Sequence, residues 1–203
     1  MGGKIRIVGI GDSWMARYSD ALKADADASG LLGLLNPSRF SFVNLAKSGM
    51  TAERLAEDED GRLSKAVGLA GECDCYAVSL LGNDAYAAIS PSGDGGASIT
   101  FAEISSAIQN MRSVLEELKS TGKRVLVMRY TNPYPGNLQT SAGCNVLNIG
   151  IGYAADLAGV PYTDLIESSE TLSSPGMMSG IGIHPKDPDG YMALAKLIGG
   201  MFP

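Results

Sequence analysis

Residues 4–13, KIRIVGIGDS, contain an apolar run that stops at a glycine, an aspartate and a serine. Mostly continuous apolar character, without strict alternation, is typical of a strand that is buried on both faces. Strands of this kind belong to parallel sheets that are covered by helices on each side. The stretch therefore predicts the first strand of an α/β protein, and it places Ser13 where that strand ends.

Similar short apolar runs recur along the chain, with helical patterns between them. The predicted strands are residues 4–10, 40–46, 76–82, 124–130 and 160–164. The predicted helices are residues 14–28, 51–69, 101–121, 142–158 and 188–199. This alternation predicts a parallel five-stranded sheet wrapped by helices, and the length of 203 residues fits one domain over residues 1–203.

The helix predicted for residues 101–121 has the clearest pattern. Its apolar residues, Phe101 among them, recur at spacings of three and four, which places them on one stripe. Thr100 and Glu103 have the spacing of a capping box, and Gly122 is suited to stop the helix. We therefore expect a long amphipathic helix that packs against the sheet.

Charge and hydropathy exclude several kinds of partner. The formal net charge is −6 and the pI is near 4.8, so we expect no nucleic-acid binding. No apolar stretch approaches the roughly 18 residues of a membrane span. The chain begins without an apolar leader, which predicts a cytoplasmic location as it stands and leaves export open if a leader was removed. A small-molecule partner fits best.

The three cysteines, Cys73, Cys75 and Cys144, are an odd number in a chain that is too large to need disulfides. The pair at 73 and 75 has no second pair, and the single histidine, His184, is distant in sequence. A structural zinc site would therefore lack ligands. We interpret the cysteines as small apolar residues and predict neither a metal nor a cofactor.

Polar residues and glycines follow the ends of the predicted strands. Ser13 follows the first strand, Gly49 the second and Asn83 the third, while His184 precedes the last helix. Because the carboxyl ends of parallel strands share one edge of a sheet, we expect these residues to converge. A serine becomes a nucleophile when a histidine takes its proton, and backbone N–H groups or an asparagine amide can hold the developing oxyanion.

These residues also have structural interpretations. Ser13 suits a helix N-cap, which is compatible with a catalytic role. Asn83 and Gly49 suit turns at the ends of strands. Asp12 is expected to organise its loop by accepting backbone N–H bonds, without a catalytic role.

The motifs Gly11-Asp12-Ser13, Gly49, Gly82-Asn83-Asp84 and His184-Pro185 resemble, in order and approximate spacing, the blocks of the SGNH (GDSL-type) hydrolases. The resemblance covers essentially the whole chain. It implies a flavodoxin-like three-layer α/β/α fold and hydrolysis of a small acyl ester, such as an acetylated carbohydrate or a short-chain ester, through an acyl-enzyme. It also implies Ser13 as nucleophile, His184 as base, and Ser13, Gly49 and Asn83 as the oxyanion hole.

Two residues bear on the substrate pocket. Leu81 stands two positions before Asn83, where the family usually has glycine, and its bulk is expected to shift the loop or narrow the pocket. Trp14 directly follows Ser13 and either packs in the core or forms one wall of the acyl pocket. Both are candidate pocket residues.

The aspartate that completes the triad of the family is missing. Ile181 stands at its usual position, three residues before His184. The imidazole would then be oriented by a backbone carbonyl near 179–182, as in a Ser-His dyad, or by a carboxylate such as Asp164 or Asp187. If activity has been lost, the alternative is a non-catalytic protein that binds a carbohydrate or another partner.

A nucleotide-binding module is a further alternative. Gly9-x-Gly11 begins the glycine fingerprint of dinucleotide-binding folds. The third glycine position holds Trp14, whose side chain would crowd a pyrophosphate. The side chain of Trp14 therefore disfavours this alternative.

Overall fold

The computed structural model describes residues 3–17, 30–88, 101–102, 104–131, 138–172, 177–178, 184–186 and 188–203. Five strands in these ranges form one sheet with parallel pairings throughout. They are β1 (Ile5–Gly11), β2 (Phe40–Asn44), β3 (Cys75–Ser79), β4 (Arg124–Arg129) and β5 (Leu165–Glu167). Their order is β2-β1-β3-β4-β5, which is a doubly wound sheet, so the predicted parallel five-stranded sheet is confirmed.

Helices cover the sheet on both faces. They are α1 (Ser13–Ala16), α2 (Ala52–Ala56), α3 (Arg62–Gly68), α4 (Gly82–Ala88), α5 (Ser105–Ser120), α6 (Leu138–Leu157), α7 (Ser169–Leu172) and α8 (Asp189–Gly200). One group of contacts links α2, α3, α5 and α6, and another links α1 and α8 through the 3-10 helix Gly30–Leu34. The expected three-layer architecture is confirmed. No helix within the described ranges is long and apolar enough to cross a membrane.

The end of β1 is shaped by a close approach between β1 and β3. Ile7 and Ile10 are fully buried, as expected for a strand with helices on both faces. Gly11 has φ +124°, and a Cβ atom there would lie 1.8 Å from the carbonyl oxygen of Ser79. Glycine therefore lets the chain pass β3 closely enough for the Asp12 N–H to donate to Ser79 O at 2.8 Å.

The fifth strand lies beyond its predicted position. Residues 160–164 were expected to form it, but Tyr162–Asp164 is a 3-10 helix and the strand is Leu165–Glu167. Pro161 has no N–H to contribute to a ladder, and the carboxylate of Asp164 accepts Nε–H of Arg124 at 2.9 Å. The predicted range therefore covers the 3-10 helix and ends directly before the residues that pair with β4.

The helix predicted for residues 51–69 is divided into α2 and α3. Asp58 and Gly61 have φ values of +53° and +65°, which interrupt a right-handed helix. The Asp58 carboxylate then accepts the N–H groups of Leu63 at 2.7 Å and Ser64 at 3.2 Å. The second helix thus starts with its own cap, which hydrophobic periodicity alone does not reveal.

The helix predicted for residues 14–28 begins as expected, within one residue, but it is interrupted early. The described part of it ends at Ala16 because Arg17 is extended, with φ −105° and ψ 159°. Residues 18–29 lie outside the described ranges. The early end of α1 leaves Arg17 beside the loop that follows β2.

The helix predicted for residues 101–121 starts later than its pattern indicates. The N-cap is Ile104, which makes no side-chain cap bond, while Thr100 and Glu103 lie outside the described residues. Phe101, expected on the buried stripe, is 42% exposed. Gly122 has φ +76° and donates its N–H to Lys119 O at 2.9 Å, so the predicted stop is confirmed.

Candidate active site

Ser13 and His184 come together at the carboxyl edge of the sheet. Ser13 is the first residue of α1, directly after β1. Its Oγ lies 2.7 Å from Nε2 of His184, across a sequence separation of 171 residues. Ser13 is 7% exposed and His184 is half-buried. A hydroxyl in hydrogen-bond contact with an imidazole nitrogen is the geometry that general-base activation requires.

The N-cap of α1 is Asp12, so the interpretation of Ser13 as a helix N-cap is wrong. Asp12 Oδ1 accepts the N–H of Trp14 at 3.1 Å and the hydroxyl of Ser79 at 2.7 Å, and Oδ2 accepts the hydroxyl of Tyr130. Burial raises the pKa of Asp12, while these donors act in the opposite direction. Asp12 organises the loop as expected and thereby holds the start of α1.

Tyr130 completes this buried network and was not identified from the sequence. Its ring packs edge-on against Trp14, with centroids 4.9 Å apart. Asn148 of α6 fixes its backbone, since Oδ1 accepts the Tyr130 N–H at 2.8 Å and Nδ2 donates to the Tyr130 carbonyl at 2.7 Å. Tyr130 is separated from Asp12 by 118 residues, so no local pattern connects the two.

Replacing Tyr130 by phenylalanine is expected to weaken both folding and catalysis. Loss of the phenol donor leaves a buried carboxylate less satisfied, which costs about 1–3 kcal/mol of unfolding free energy, and kcat is expected to fall about tenfold as α1 loosens. The donor lowers the pKa of Asp12, so its loss raises that pKa further. The stability deficit should grow as the pH rises, because the ionised carboxylate needs the donor most.

The check is urea unfolding at pH 5 and pH 8 together with esterase kinetics. Tyr76→Phe is the matched control, because the buried Tyr76 hydroxyl donates to the Ala66 carbonyl at 3.1 Å and does not contact Asp12. It should lose stability with kcat unchanged. Equal kcat values for Tyr130→Phe and Tyr76→Phe would contradict a role of Tyr130 in supporting α1.

The loop after β2 lies against the end of β1. Lys47 N–H donates to the Gly11 carbonyl at 2.9 Å, and Arg17 Nε–H donates to Ser48 Oγ at 3.1 Å. Gly49 then turns the chain with φ +78°, a conformation that favours glycine. The predicted oxyanion-hole residue Gly49 is thus held by a loop that is bonded to both sides of Ser13.

Asn83, in the first turn of α4, reaches the same loop. Its Nδ2 donates to the Met50 carbonyl at 2.9 Å. An amide nitrogen carries two hydrogens, so one N–H remains for another acceptor. Among the described residues, no acceptor is paired with the backbone N–H of Ser13 or of Gly49. These contacts therefore place the start of α1, the loop after β2 and the start of α4 next to one another. These three elements carry the predicted donors Ser13, Gly49 and Asn83.

The two candidate pocket residues are buried. Trp14 is 3% exposed and packs against Tyr130, which favours its alternative interpretation as a core residue. Leu81 is fully buried and has φ +86°, a conformation that costs a residue with a Cβ about 1–2 kcal/mol. Their part in a substrate pocket stays a prediction.

Leu81 gives a test in which glycine should be more stable than alanine. Leu81→Ala loses the buried side chain and keeps the strain, whereas Leu81→Gly loses the side chain and relieves the strain. We expect Leu81→Ala to cost about 3–5 kcal/mol and Leu81→Gly about 1–2 kcal/mol less than that. Urea unfolding of both variants checks the order, and the usual order, with alanine more stable, would contradict strain at this position.

Asp164, one of the carboxylates considered for orienting His184, is at the wrong edge. It precedes β5 and pairs with Arg124, the first residue of β4, with Nη2–Oδ1 2.7 Å. Both residues therefore lie at the amino end of their strands, opposite Ser13. Ile181, Asp187 and residues 179–182 lie outside the described part of the chain.

The segment around His184 is tied by a short antiparallel bridge. Met178 pairs with Pro185, and Lys186 N–H donates to the Met177 carbonyl at 2.8 Å. Pro185 is buried and both methionines pack against the core. The bridge therefore anchors the backbone directly after His184 to the core.

The cysteines lie outside the Ser13–His184 pair, although the Cys144 thiol donates to the Tyr130 carbonyl at 3.4 Å. Cys73, Cys75 and Cys144 are all free, and the first two are buried. Burial raises the pKa of the Cys75 thiol to about 12 and that of Cys144 to about 11. Among the described residues, no group of three histidine, cysteine, aspartate or glutamate side chains is placed to hold a metal ion.

No family model and no curated protein sequence matches the chain. Solved structures do match its fold. A lipase from a goat rumen metagenome aligns with a TM-score of 0.75 at 15% identity, covering 98% of each chain. An acetylxylan esterase from Geobacillus stearothermophilus aligns at 0.68 and 17%, covering 98% of this chain and 94% of that one.

A lipase/acylhydrolase from Enterococcus faecalis aligns with a TM-score of 0.64 at 23% identity, covering 96% of this chain and 93% of the other. Coverage is nearly complete in each comparison, so the likeness extends over the whole architecture rather than one motif. The chain therefore has the fold of these solved lipases and esterases, as the resemblance of its sequence motifs led us to expect.

Proposed function

We propose that the protein is a serine ester hydrolase of the SGNH type that cleaves a small acyl ester through an acyl-enzyme. The observation that carries the proposal is the 2.7 Å contact between Ser13 Oγ and His184 Nε2. His184 is the one histidine of the chain, and the fold sets it against a serine at the end of β1. A nucleophile, its base and nearby donors are the minimum that acyl transfer needs.

Acylation begins when Ser13 Oγ attacks the ester carbonyl carbon and passes its proton to His184 Nε2. The carbonyl oxygen becomes an oxyanion, for which the N–H groups of Ser13 and Gly49 and the second amide hydrogen of Asn83 are suitable donors. Each such donor typically contributes about 10²–10³ in kcat. The carbon–oxygen bond to the alcohol then breaks, and the imidazolium returns the proton to the departing alkoxide.

Deacylation repeats these steps with water as the nucleophile. His184 takes a proton from water, the hydroxide oxygen bonds to the acyl carbon, and the same donors hold the oxyanion. Collapse of this intermediate breaks the bond to Ser13 Oγ, which recovers the proton from His184. The acid is released and the site returns to its starting state.

We propose an acetylated carbohydrate or a short-chain ester as the substrate. Support comes from the solved structures with this fold, which include an acetylxylan esterase and lipases. A catalytic mutant of the acetylxylan esterase has a serine replaced by alanine. Because the sequence identities are below 25%, the substrate class has to be tested on this protein.

The first test is hydrolysis of p-nitrophenyl acetate, butyrate and octanoate, with acetate release from acetylated xylo-oligosaccharides measured in parallel. A fluorophosphonate probe followed by peptide mass spectrometry should label Ser13. Preference for the acetyl ester would support the carbohydrate-ester substrate, and preference for octanoate would exclude it. Binding of the oligosaccharide without turnover or labelling would instead indicate the non-catalytic alternative.

A further inference from the structure

Asp84 contacts the loop that carries Gly49 and is not explained by the proposed chemistry. It follows Asn83 in α4, and both of its carboxylate oxygens lie 3.1 Å from the backbone nitrogen of Ala52. Asn83 meanwhile donates to the Met50 carbonyl at 2.9 Å. Adjacent residues of α4 thus hold one loop by two bonds of opposite polarity, one accepting and one donating.

Two such bonds, one at Met50 in the loop and one at Ala52, the first residue of α2, fix the position of the loop where it joins that helix. Lys47 and Ser48 hold the start of the loop, but a single bond from Asn83 to Met50 would leave the part after Gly49 able to pivot about that contact. The second bond, at Ala52, removes this freedom and fixes the stretch from Gly49 to Ala52 against α4. Any displacement here would move the Gly49 N–H relative to the amide of Asn83, and oxyanion stabilisation depends on the distance and direction of such donors.

Burial is unfavourable for the ionised form of Asp84, whereas the bond from the Ala52 N–H favours it. Burial above all, with smaller contributions from the negative charges of Asp12 and Glu53, raises the pKa of Asp84 to about 6. A folded-state pKa above the ordinary value of an aspartate means that this group stabilises the fold at low pH and that the contribution is lost as the pH rises through about 6. At pH 8 the charge of Asp84 therefore does not stabilise the fold.

We propose that Asp84 is a positioning residue of the esterase: by accepting the Ala52 N–H it holds Gly49 at the oxyanion site beside Asn83. The inference rests on the proposed function. It assigns Asp84 no contact with the substrate, so its effect is on kcat rather than on KM. The geometry requires an oxygen atom that accepts the Ala52 N–H, and it does not require that oxygen to carry a charge.

Asp84→Ala removes the acceptor, and Asp84→Asn keeps an acceptor without the charge. At pH 8 we expect Asp84→Ala to lower kcat about 10-fold to 30-fold, less than outright loss of an oxyanion donor, with KM within about twofold. Asp84→Asn should restore kcat to within about threefold of the unmodified protein without lowering Tm at pH 8. Asp58→Ala is the control, because Asp58 caps α3 by the same kind of bond.

Asp58→Ala should lower Tm and leave kcat unchanged. An unchanged kcat in Asp84→Ala would overturn the proposal, as would an Asp84→Asn variant as impaired as Asp84→Ala. Hydrogen exchange of the amides of residues 49–52 separates this inference from the proposed function. Exchange there should be faster in Asp84→Ala, though not in Asp84→Asn or Asp58→Ala, whether or not Ser13 proves catalytic. Equal exchange in all the proteins would overturn the positioning role.

Discussion

Ser13→Ala is expected to lower kcat for ester hydrolysis roughly 10⁴-fold or more, because no other described side chain occupies the position facing His184 Nε2. The residual rate should reflect only binding and the oxyanion donors. Folding should be little affected, since the Ser13 hydroxyl contributes one contact and the cap of α1 belongs to Asp12. Steady-state kinetics and thermal unfolding of the same preparations measure both effects.

Ser113→Ala is a suitable control for this substitution. Ser113 is exposed on α5, and its hydroxyl donates to the Gln109 carbonyl at 3.2 Å. It should retain full activity and full fluorophosphonate labelling, whereas Ser13→Ala should lose both. Retention of activity by Ser13→Ala would refute the proposed mechanism, because no acyl-enzyme would then form on this residue.

His184→Ala is the second large effect, with kcat expected to fall roughly 10³-fold to 10⁴-fold through loss of the base. The acidic limb of the pH-rate profile should disappear with it, since protonation of His184 removes the acceptor for the Ser13 proton. Activity of the unmodified protein is therefore expected to rise with pH through the range in which imidazole side chains titrate. Profiles of kcat/KM from pH 5 to pH 9 provide the measurement.

Asp84 is another group near the site that is expected to titrate in this range, because burial raises its pKa to about 6. Asp84→Asn therefore serves as the comparison for His184→Ala. The acidic limb should persist in Asp84→Asn and be absent in His184→Ala. The reverse result would assign the limb to Asp84 and remove His184 from its role as the base.

Much of the fold could be predicted because its strands are continuous apolar runs. Four of the five strands lie within a few residues of the predicted ranges, since burial on both faces leaves a signal in every residue. β5 was misplaced because only three residues pair and a 3-10 turn precedes them. The break between α2 and α3 depends on left-handed backbone at Asp58 and Gly61, which apolar periodicity does not report.

Some residues of the site could likewise be predicted from the sequence, and others could not. Ser13, Gly49 and Asn83 follow strand ends, and topology alone predicts that such positions converge. Tyr130 and Asp84 also follow strand ends, but their roles could not be predicted, because each acts on a residue that only the folded chain brings near. What identifies them is a phenol hydroxyl that donates to the buried Asp12 and a carboxylate that accepts the Ala52 N–H. Neither contact can be seen in the linear sequence.

The burial of the thiols makes the protein a clean background for cysteine chemistry. Thiolates are the species that alkylating reagents attack, and the raised pKa values of Cys73, Cys75 and Cys144 keep their thiolate fractions small at pH 8. A cysteine introduced by Ser13→Cys would instead face an imidazole. Iodoacetamide should then modify this one position, so that its rate of labelling reports access to residue 13 from solution.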